Sequence, residues 1–304
     1  MYVMSYFQTV SESLFLAVSE DGYRWTPLCS GAPILQSTVG ARSIRDPHFS
    51  QDREGVFHLL FSNSWNSDSI GHCTSRNLLH WSAQELLPVM QSVPLTNTAW
   101  SPECFYDGEE ELYRIIWSSC VGELADRDDY VHYDSRIWGT TTRDLEHFTT
   151  PDIFYDPGYS VIDASVASRN GAYLLAVKDE RGDNSDDTQH KAIHLGWSNH
   201  ATGPYEMIAD FVTPPLTEGP TLFRREDENG GEWVMMFDHF MRGHFGAAAS
   251  RDGKSWMNIT DRMAFPPGHA TPAFSKSVKV LQLSYAARCK NLQRIVLVMA
   301  NRLA

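Results

Sequence analysis

Five short motifs recur along the chain at nearly constant spacing. They are Ser43-Ile44-Arg45-Asp46-Pro47-His48-Phe49, Ala99-Trp100-Ser101-Pro102-Glu103, Val161-Ile162-Asp163-Ala164-Ser165, Thr217-Glu218-Gly219-Pro220-Thr221 and Gly268-His269-Ala270-Thr271. From Asp46 to Glu103 is 57 residues, on to Asp163 60, to Glu218 55 and to His269 51. Self-similarity at a fixed period constrains architecture before any local propensity does, because each repeat is one supersecondary unit. Each motif sets an ionisable side chain beside small residues or Pro, just ahead of a stretch able to open a strand.

A second series keeps the same period. Ser19-Glu20-Asp21-Gly22-Tyr23-Arg24-Trp25 resembles Ser75-Arg76-Asn77-Leu78-Leu79-His80-Trp81, Thr142-Arg143-Asp144-Leu145-Glu146-His147-Phe148 and Ser250-Arg251-Asp252-Gly253-Lys254-Ser255-Trp256. A looser copy runs from Ser198 to Tyr205. Each reads as a strand end, an Asx or Gly turn, then an aromatic opening the next strand. The closing aromatics lie 56, 67, 57 and 51 residues apart.

Between motifs the pattern supplies four short strands per period. Residues 46–49, 56–61, 69–73 and 81–87 make one such unit. Four-stranded antiparallel sheets repeated radially are the blades of a β-propeller, so the spacing predicts an all-β, five-bladed propeller. Residues 1–28 supply the second, third and fourth strands of a blade without a first, and residues 268–274 supply a first without the others. The N- and C-terminal strands are therefore expected to share the last blade, with residues 270–274 pairing with the first ten. Residues 1–275 form the expected catalytic domain, and 276–304 a tail of unassigned structure.

In this architecture the first strands line the axis, so Asp46, Glu103, Asp163, Glu218 and His269 are expected to converge on one end of the channel. The ends of the second strands, with Asn63, Trp65, Trp117, Lys178, Asp238 and His239, reach the same end. Singly, each acid has a plain explanation: Asp before Pro forms turns, and Glu-Gly-Pro can simply enter a strand. Four acids at one place in successive repeats repel each other at a cost no fold requires, which points to function. Trp100 reads either as a sugar-stacking platform or as a buried prop for a blade. Converging carboxylates with aromatic walls suit glycosidic cleavage, where an inverting reaction uses one acid, one base and a water between them.

These motifs together resemble glycoside hydrolase family 43, over residues 1 to about 275. Arg-Asp-Pro at 45–47, Trp-Ser-Pro-Glu at 100–103 (the family has Ala for Ser), Ile-Asp at 162–163 and Glu-Gly-Pro at 218–220 carry the likeness. The resemblance implies α-L-arabinofuranosidase, arabinanase or β-xylosidase activity by inversion. It implies Asp46 as general base, Glu218 as general acid and Asp163 as the group that tunes and orients the acid. A base that must stay ionised is expected to sit near donors such as Arg45 or backbone amides. Trp100, Glu103, Asn63, Trp65, Trp117 and His239 become substrate-binding candidates. His269 matches a position associated with an axial ion, often calcium, and no cofactor is required for the chemistry. The segment after Phe274 departs from the usual family ending.

A β-fructosidase would carry an Asn-Asp-Pro-Asn-Gly-like motif near the start, and a phosphorylase a basic cluster; neither is present. The remaining alternatives are a β-xylosidase or related propeller glycosidase, and a non-catalytic carbohydrate-binding propeller. The partner expected is an arabino- or xylo-oligosaccharide. A formal net charge of −13 argues against nucleic acid and anionic membrane surfaces. The longest apolar run, residues 295–300, is too short to span a bilayer. Residues 1–20 lack a basic start followed by an apolar block, so the expectation is a cytoplasmic protein, or a secreted one if a leader has been removed. Five cysteines, an odd number without CxxC spacing, read as reduced and mostly buried thiols.

Overall fold

The second repeat series is a recurring piece of turn chemistry. In four places a Ser or Thr ends a strand, its oxygen accepts the N–H three residues on, and an Asx carboxyl or amide oxygen accepts the N–H groups that follow. Gly22, Leu78, Leu145 and Gly253 donate to Ser19, Ser75, Thr142 and Ser250 at 2.8–2.9 Å. Asp21, Asn77, Asp144 and Asp252 accept two further N–H groups each. The donor residues Gly22, Leu78, Leu145 and Gly253 all have φ between 59° and 78°. Gly22 and Gly253 adopt this conformation freely, and at Leu78 and Leu145 the side-chain oxygens offset its cost by satisfying the turn.

The computed structural model describes residues 1–124, 133–184, 190–209, 211–266 and 278–282. The chain opens with β1 (Tyr2–Tyr6), β2 (Phe15–Ser19) and β3 (Thr26–Pro27). A first complete sheet follows, β4 (Arg45–Gln51), β5 (Phe57–Ser62), β6 (Ile70–Ser75) and β7 (Glu85–Leu87). The second is β8 (Trp100–Asp107), β9 (Leu112–Cys120), β10 (Ser135–Thr142) and β11 (Asp152–Tyr155). The third is β12 (Val161–Arg169), β13 (Ala172–Asp179), β14 (Ile193–Ser198) and β15 (Glu206–Ala209). The fourth is β16 (Glu218–Arg225), β17 (Glu232–His239), β18 (His244–Ser250) and β19 (Met257–Asn258). Each is an antiparallel meander of four, and β20 (Val278–Gln282) completes a fifth in the order β20-β1-β2-β3. The inner strands β4, β8, β12, β16 and β20 neighbour one another in turn around the axis. This is the five-bladed propeller expected.

Closure is made by a different stretch from the one the motif spacing singled out. β20 pairs with β1 from Tyr2 opposite Gln282 to Tyr6 opposite Val278. Residues 270–274 lie outside the described residues. The closing strand falls within the segment set apart as a tail, where Val278-Lys279-Val280-Leu281 has the alternation of a strand.

The second strand of each blade alternates its side chains between two cores. Phe57, Leu59 and Phe61 pack with Val3, Leu14 and Leu16 of the closing blade, whereas Leu60 packs with Ile115 and Trp117 of the next. Ile116 faces Val161 and Leu175, and Trp233, Met235 and Phe237 face Leu174 and Leu195. Val234 and Met236 meet Tyr2, Met4 and Phe15, which seals the ring between the fourth and closing blades. Five apolar layers, one at each blade junction, bury faces that no blade could bury alone.

Candidate active site

The inner strands of four blades carry the same irregularity near their start. Pairing slips between Arg45 and His48, between Trp100 and Glu103, between Ile162 and Ser165, and between Glu218 and Thr221. Two residues of the inner strand oppose one of its partner, a β-bulge, and such bulges turn a side chain off the pleat. The first bulged residue has positive φ each time: Asp46 47°, Ser101 49°, Asp163 55° and Gly219 58°. Three of these are not glycine, a strain that concentrates at functional sites.

The bulges correct the expected equivalence of the acids. Asp46 and Asp163 share one structural position, but blade two fills it with Ser101. Glu218 sits one residue before that position, and Glu103 two after it. Glu103 belongs instead to a ladder that ties adjacent inner strands together. At this rung His48 Nε2 lies 3.0 Å from Cys104 O, Glu103 Oε1 accepts Val166 N–H at 2.7 Å, and Ser165 Oγ accepts Leu222 N–H at 3.1 Å. Ser165 Oγ also donates to Glu103 Oε1 at 3.2 Å. Glu103 is buried in this seam and is not part of the cavity wall.

A cavity of about 220 Å³ opens at the bulged ends, walled by Asp46, Asp163 and Glu218 and by Arg45, Trp65, Trp100, Tyr133, Lys178, Glu180 and Phe240. The three acids named from the sequence are thus brought together. Ser62 Oγ donates to Asp46 Oδ2 at 2.8 Å and accepts Ser101 N–H at 2.8 Å. Ser101 Oγ donates to Asp163 Oδ1 at 2.5 Å, and Gly219 N–H donates to Asp163 Oδ2 at 3.0 Å. Both Asp163 oxygens are therefore fixed, one by blade two and one by the strand that carries Glu218. Lys178 Nζ reaches Glu218 Oε2 at 2.9 Å and Glu180 Oε2 at 2.7 Å.

Burial, then the nearby charges of Glu218 and Asp46, push the Asp163 carboxyl up to about 6. Lys178 and the Ser101 hydroxyl oppose that rise. Burial works against the charge of Lys178, but Glu180, Glu218 and Asp163 together hold its pKa above the ordinary lysine range. Several acids in one cavity titrate as a group, and a proton kept near neutral pH belongs to the cluster.

Trp65 and Trp100 meet edge to face with centroids 5.7 Å apart, and Trp100 Nε1 donates to Trp65 O at 2.7 Å. Tyr133 lies nearly parallel to Trp100 at 5.7 Å. The Arg45 guanidinium caps Trp65 at 4.3 Å and pairs with Glu12 at 2.6 Å. Arg45 thus shapes the rim, and Ser62 supplies a donor to Asp46. Trp65 is 43% exposed, a large aromatic surface at the mouth of a polar cavity.

Three other candidates lie away from the wall. Trp117 is 1% exposed and packs between blades one and two. Asn63 braces its own loop, donating to Ser67 Oγ and Ser69 O and accepting from Ala41 N–H. His239 stacks on His244 with ring centroids 4.4 Å apart, and its pKa is lowered to about 4 by burial and by the adjacent His244 and Arg242. Period-two alternation explains these placements, since neighbouring strand residues point to opposite faces. His269 lies outside the described residues. Among the described residues, no group of three or more His, Cys, Asp or Glu side chains is placed to hold a metal ion. Cys104 is buried, and burial pushes its thiol up to about 12, far from a thiolate nucleophile.

Sequence reasoning missed Ser62, Ser101, Tyr133, Glu180 and Phe240. Ser101 was within reach: aligning the motifs on Pro47, Pro102, Ala164 and Pro220, instead of on their acids, gives the register the bulges show.

Residues 1–271 match a family of domains related to glycosyl hydrolase family 43 and described as probable glycosyl hydrolase domains. An α-L-arabinofuranosidase of Bifidobacterium longum subsp. longum is 24% identical over 274 residues, covering 75% of this chain and 26% of its own length. The chain thus spans about a quarter of that curated relative. An α-L-arabinanase of Cellvibrio cellulosa, solved with arabinohexaose, superposes with a TM-score of 0.57 at 11% identity, covering 87% of this chain and 94% of its own. A GH43_1 enzyme of Xanthomonas citri, solved with xylotriose, gives 0.55 at 12% identity over 75% and 76%. At those identities the two structures speak for the fold. On the match over residues 1–271, the chain belongs to the glycosyl hydrolase family 43-related family.

Proposed function

We propose that this domain is an inverting glycoside hydrolase acting on pentose-containing oligo- or polysaccharides, of the α-L-arabinofuranosidase or arabinanase type. The observation that carries the reading is the convergence of Asp46, Asp163 and Glu218 on one aromatic-rimmed cavity, with Asp163 anchored at both oxygens. The Bifidobacterium relative supports the arabinose preference. A cavity of about 220 Å³ suits one sugar ring, with Trp65 and Trp100 in its wall available for stacking against the sugar.

In this mechanism Asp46, oriented by Ser62, takes a proton from water as the water attacks the anomeric carbon. Glu218 gives a proton to the departing glycosidic oxygen as the C–O bond breaks. The proton gained by Asp46 equals the one lost by Glu218, and exchange with solvent restores both. Asp163 keeps Glu218 in place through the Gly219 amide, and its nearby charge disfavours early ionisation of the acid.

The test is a panel of 4-nitrophenyl glycosides and arabino- and xylo-oligosaccharides, with NMR of the first-formed anomer. Release of inverted L-arabinose is expected. A retained product would overturn the mechanism, and faster turnover of xylosides would move the substrate to xylan. Sugar binding without turnover of any substrate would favour a non-catalytic module.

A further inference from the structure

In four blades the second-strand residue paired with the residue just before the bulge is a serine twice and a charged group twice. Ser62 and Ser118 occupy this position in blades one and two, opposite Arg45 and Trp100. In blade three it is Lys178, opposite Ile162, and in blade four Asp238, opposite Glu218. A short neutral hydroxyl therefore satisfies the fold here. Burying an ammonium group costs several kcal/mol and needs compensation. Lys178 is only 2% exposed, and its ammonium group also lies 4.5 Å from the Phe240 ring. Its compensation is a relay of alternating charge. Lys191, also buried, reaches Glu180 Oε1 at 2.7 Å and Glu180 O at 3.2 Å, and Glu180 Oε2 reaches Lys178 at 2.7 Å. The far side of Lys178 is Glu218 Oε2 at 2.9 Å.

We propose that Lys178 is a positioning residue for Glu218: it holds one carboxyl oxygen and sets the pH at which Glu218 gives up its proton, with the Glu180–Lys191 pair controlling how much positive charge Glu218 feels. This rests on the reading of Glu218 as the proton donor. The groups facing Glu218 pull in opposite directions. Asp163 on β12 interacts with Glu218 as a like charge, and Asp46 on β4, in the same cavity wall, and Asp238 on β17, the register partner of Glu218, are further acids whose charge opposes ionisation of Glu218. Lys178 on β13 favours it, and Glu180 weakens Lys178 while Lys191 weakens Glu180. Because the ammonium group occupies Oε2, a proton carried by Glu218 belongs on Oε1, which fixes the direction in which it can be delivered. The arrangement answers a conflict in the site: three acids alone would hold a proton too firmly to release it at neutral pH.

The experiment is a carboxyl ¹³C NMR titration of protein labelled at glutamate, with Glu218→Gln identifying the Glu218 signal by its loss. Lys178→Met should move the Glu218 midpoint up by about one to three pH units, the size of effect expected when an opposite charge is removed at this distance. Lys178→Arg should restore most of the shift. Glu180→Gln should move the midpoint down, because Lys178 is then less neutralised. A Glu218 midpoint in folded Lys178→Met that matches the wild type overturns the proposal. Should Lys178→Met fail to fold, Glu180→Gln decides, and an upward or absent shift refutes it. The alkaline limb of kcat/KM on 4-nitrophenyl α-L-arabinofuranoside should follow the same order. Expected NMR shifts in a protein with no turnover would remove the glycosidase reading and leave the Lys178 coupling standing. Turnover with unmoved midpoints would do the reverse.

Discussion

Glu103 separates the sequence motif from the built site, and its replacement gives a sharp test. Its Oε1 accepts the buried Val166 N–H at 2.7 Å and the Ser165 hydroxyl at 3.2 Å, and Ser165 in turn receives Leu222 N–H. Glu103→Ala strands the Val166 N–H, about 2 kcal/mol for an unsatisfied buried donor, and loses a hydrogen bond to a carboxylate worth about 2 kcal/mol more. The sum, about 4 kcal/mol, corresponds to a Tm lower by roughly 8 °C, at about 2 °C per kcal/mol for a chain this long. Glu103→Gln keeps an oxygen for Val166 N–H and loses only the charge assistance, about 1 kcal/mol or roughly 2 °C. Differential scanning calorimetry reads both, and kcat/KM per folded molecule should stay within about twofold of wild type for Glu103→Gln, since the side chain is not in the cavity wall. A Glu103→Gln protein with native Tm and a hundredfold loss of turnover would show that Glu103 acts in the site and not in the inter-blade seam.

Asp163→Asn retains an acceptor for Gly219 N–H and a partner for Ser101, so its effect is electrostatic. The folded Asp163 pKa of about 6 lies above the ordinary 3.8, so its contribution to stability is present below about pH 4 and lost as pH rises through 6. Asp163→Asn should therefore have a higher Tm than wild type at pH 7, the gap closing by pH 4, while turnover falls by about a hundredfold or more; a lower Tm at pH 7 would refute the burial argument. Trp100→Ala should raise KM for oligosaccharides by about tenfold and change kcat little, as expected for the loss of about 1–2 kcal/mol of stacking outside the reacting centre; an equal loss in kcat alone would contradict the rim assignment. Among the four described cysteines, iodoacetamide applied to native protein should label Cys29, which is half-buried, before the buried Cys73, Cys104 and Cys120. Mass spectrometry of the alkylated peptides checks this, and early labelling of Cys104 would count against its raised thiol pKa.

The sequence alone determined the number of blades through its period, and the three converging acids through the resemblance its motifs bear to a known family. The blade count is a consequence of period: a Ser/Thr-x-Asx turn must use those side chains to satisfy its own backbone, so it recurs visibly at four of the five places where the third strand gives way to the fourth. Asp46 and Asp163 recur because only certain residues tolerate, and exploit, a bulge aimed at the axis. The tertiary structure decided what depends on register. One residue of offset in a strand sends a side chain to the opposite face, and this separates Glu103 in its inter-blade seam from Glu218 at the cavity, and Trp117 in a core from Lys178 beside the acid. The motif spacing, counted from acid to acid, carried an error of one or two residues that a strand does not forgive. The closing strand was hidden for a related reason, since residues 278–282 complete a blade whose other strands lie at the far end of the chain. The relay from Lys191 through Glu180 to Lys178 was equally beyond the sequence. Its charges are ordinary as residues, and they acquire meaning only where burial strips away water and leaves each one dependent on the next.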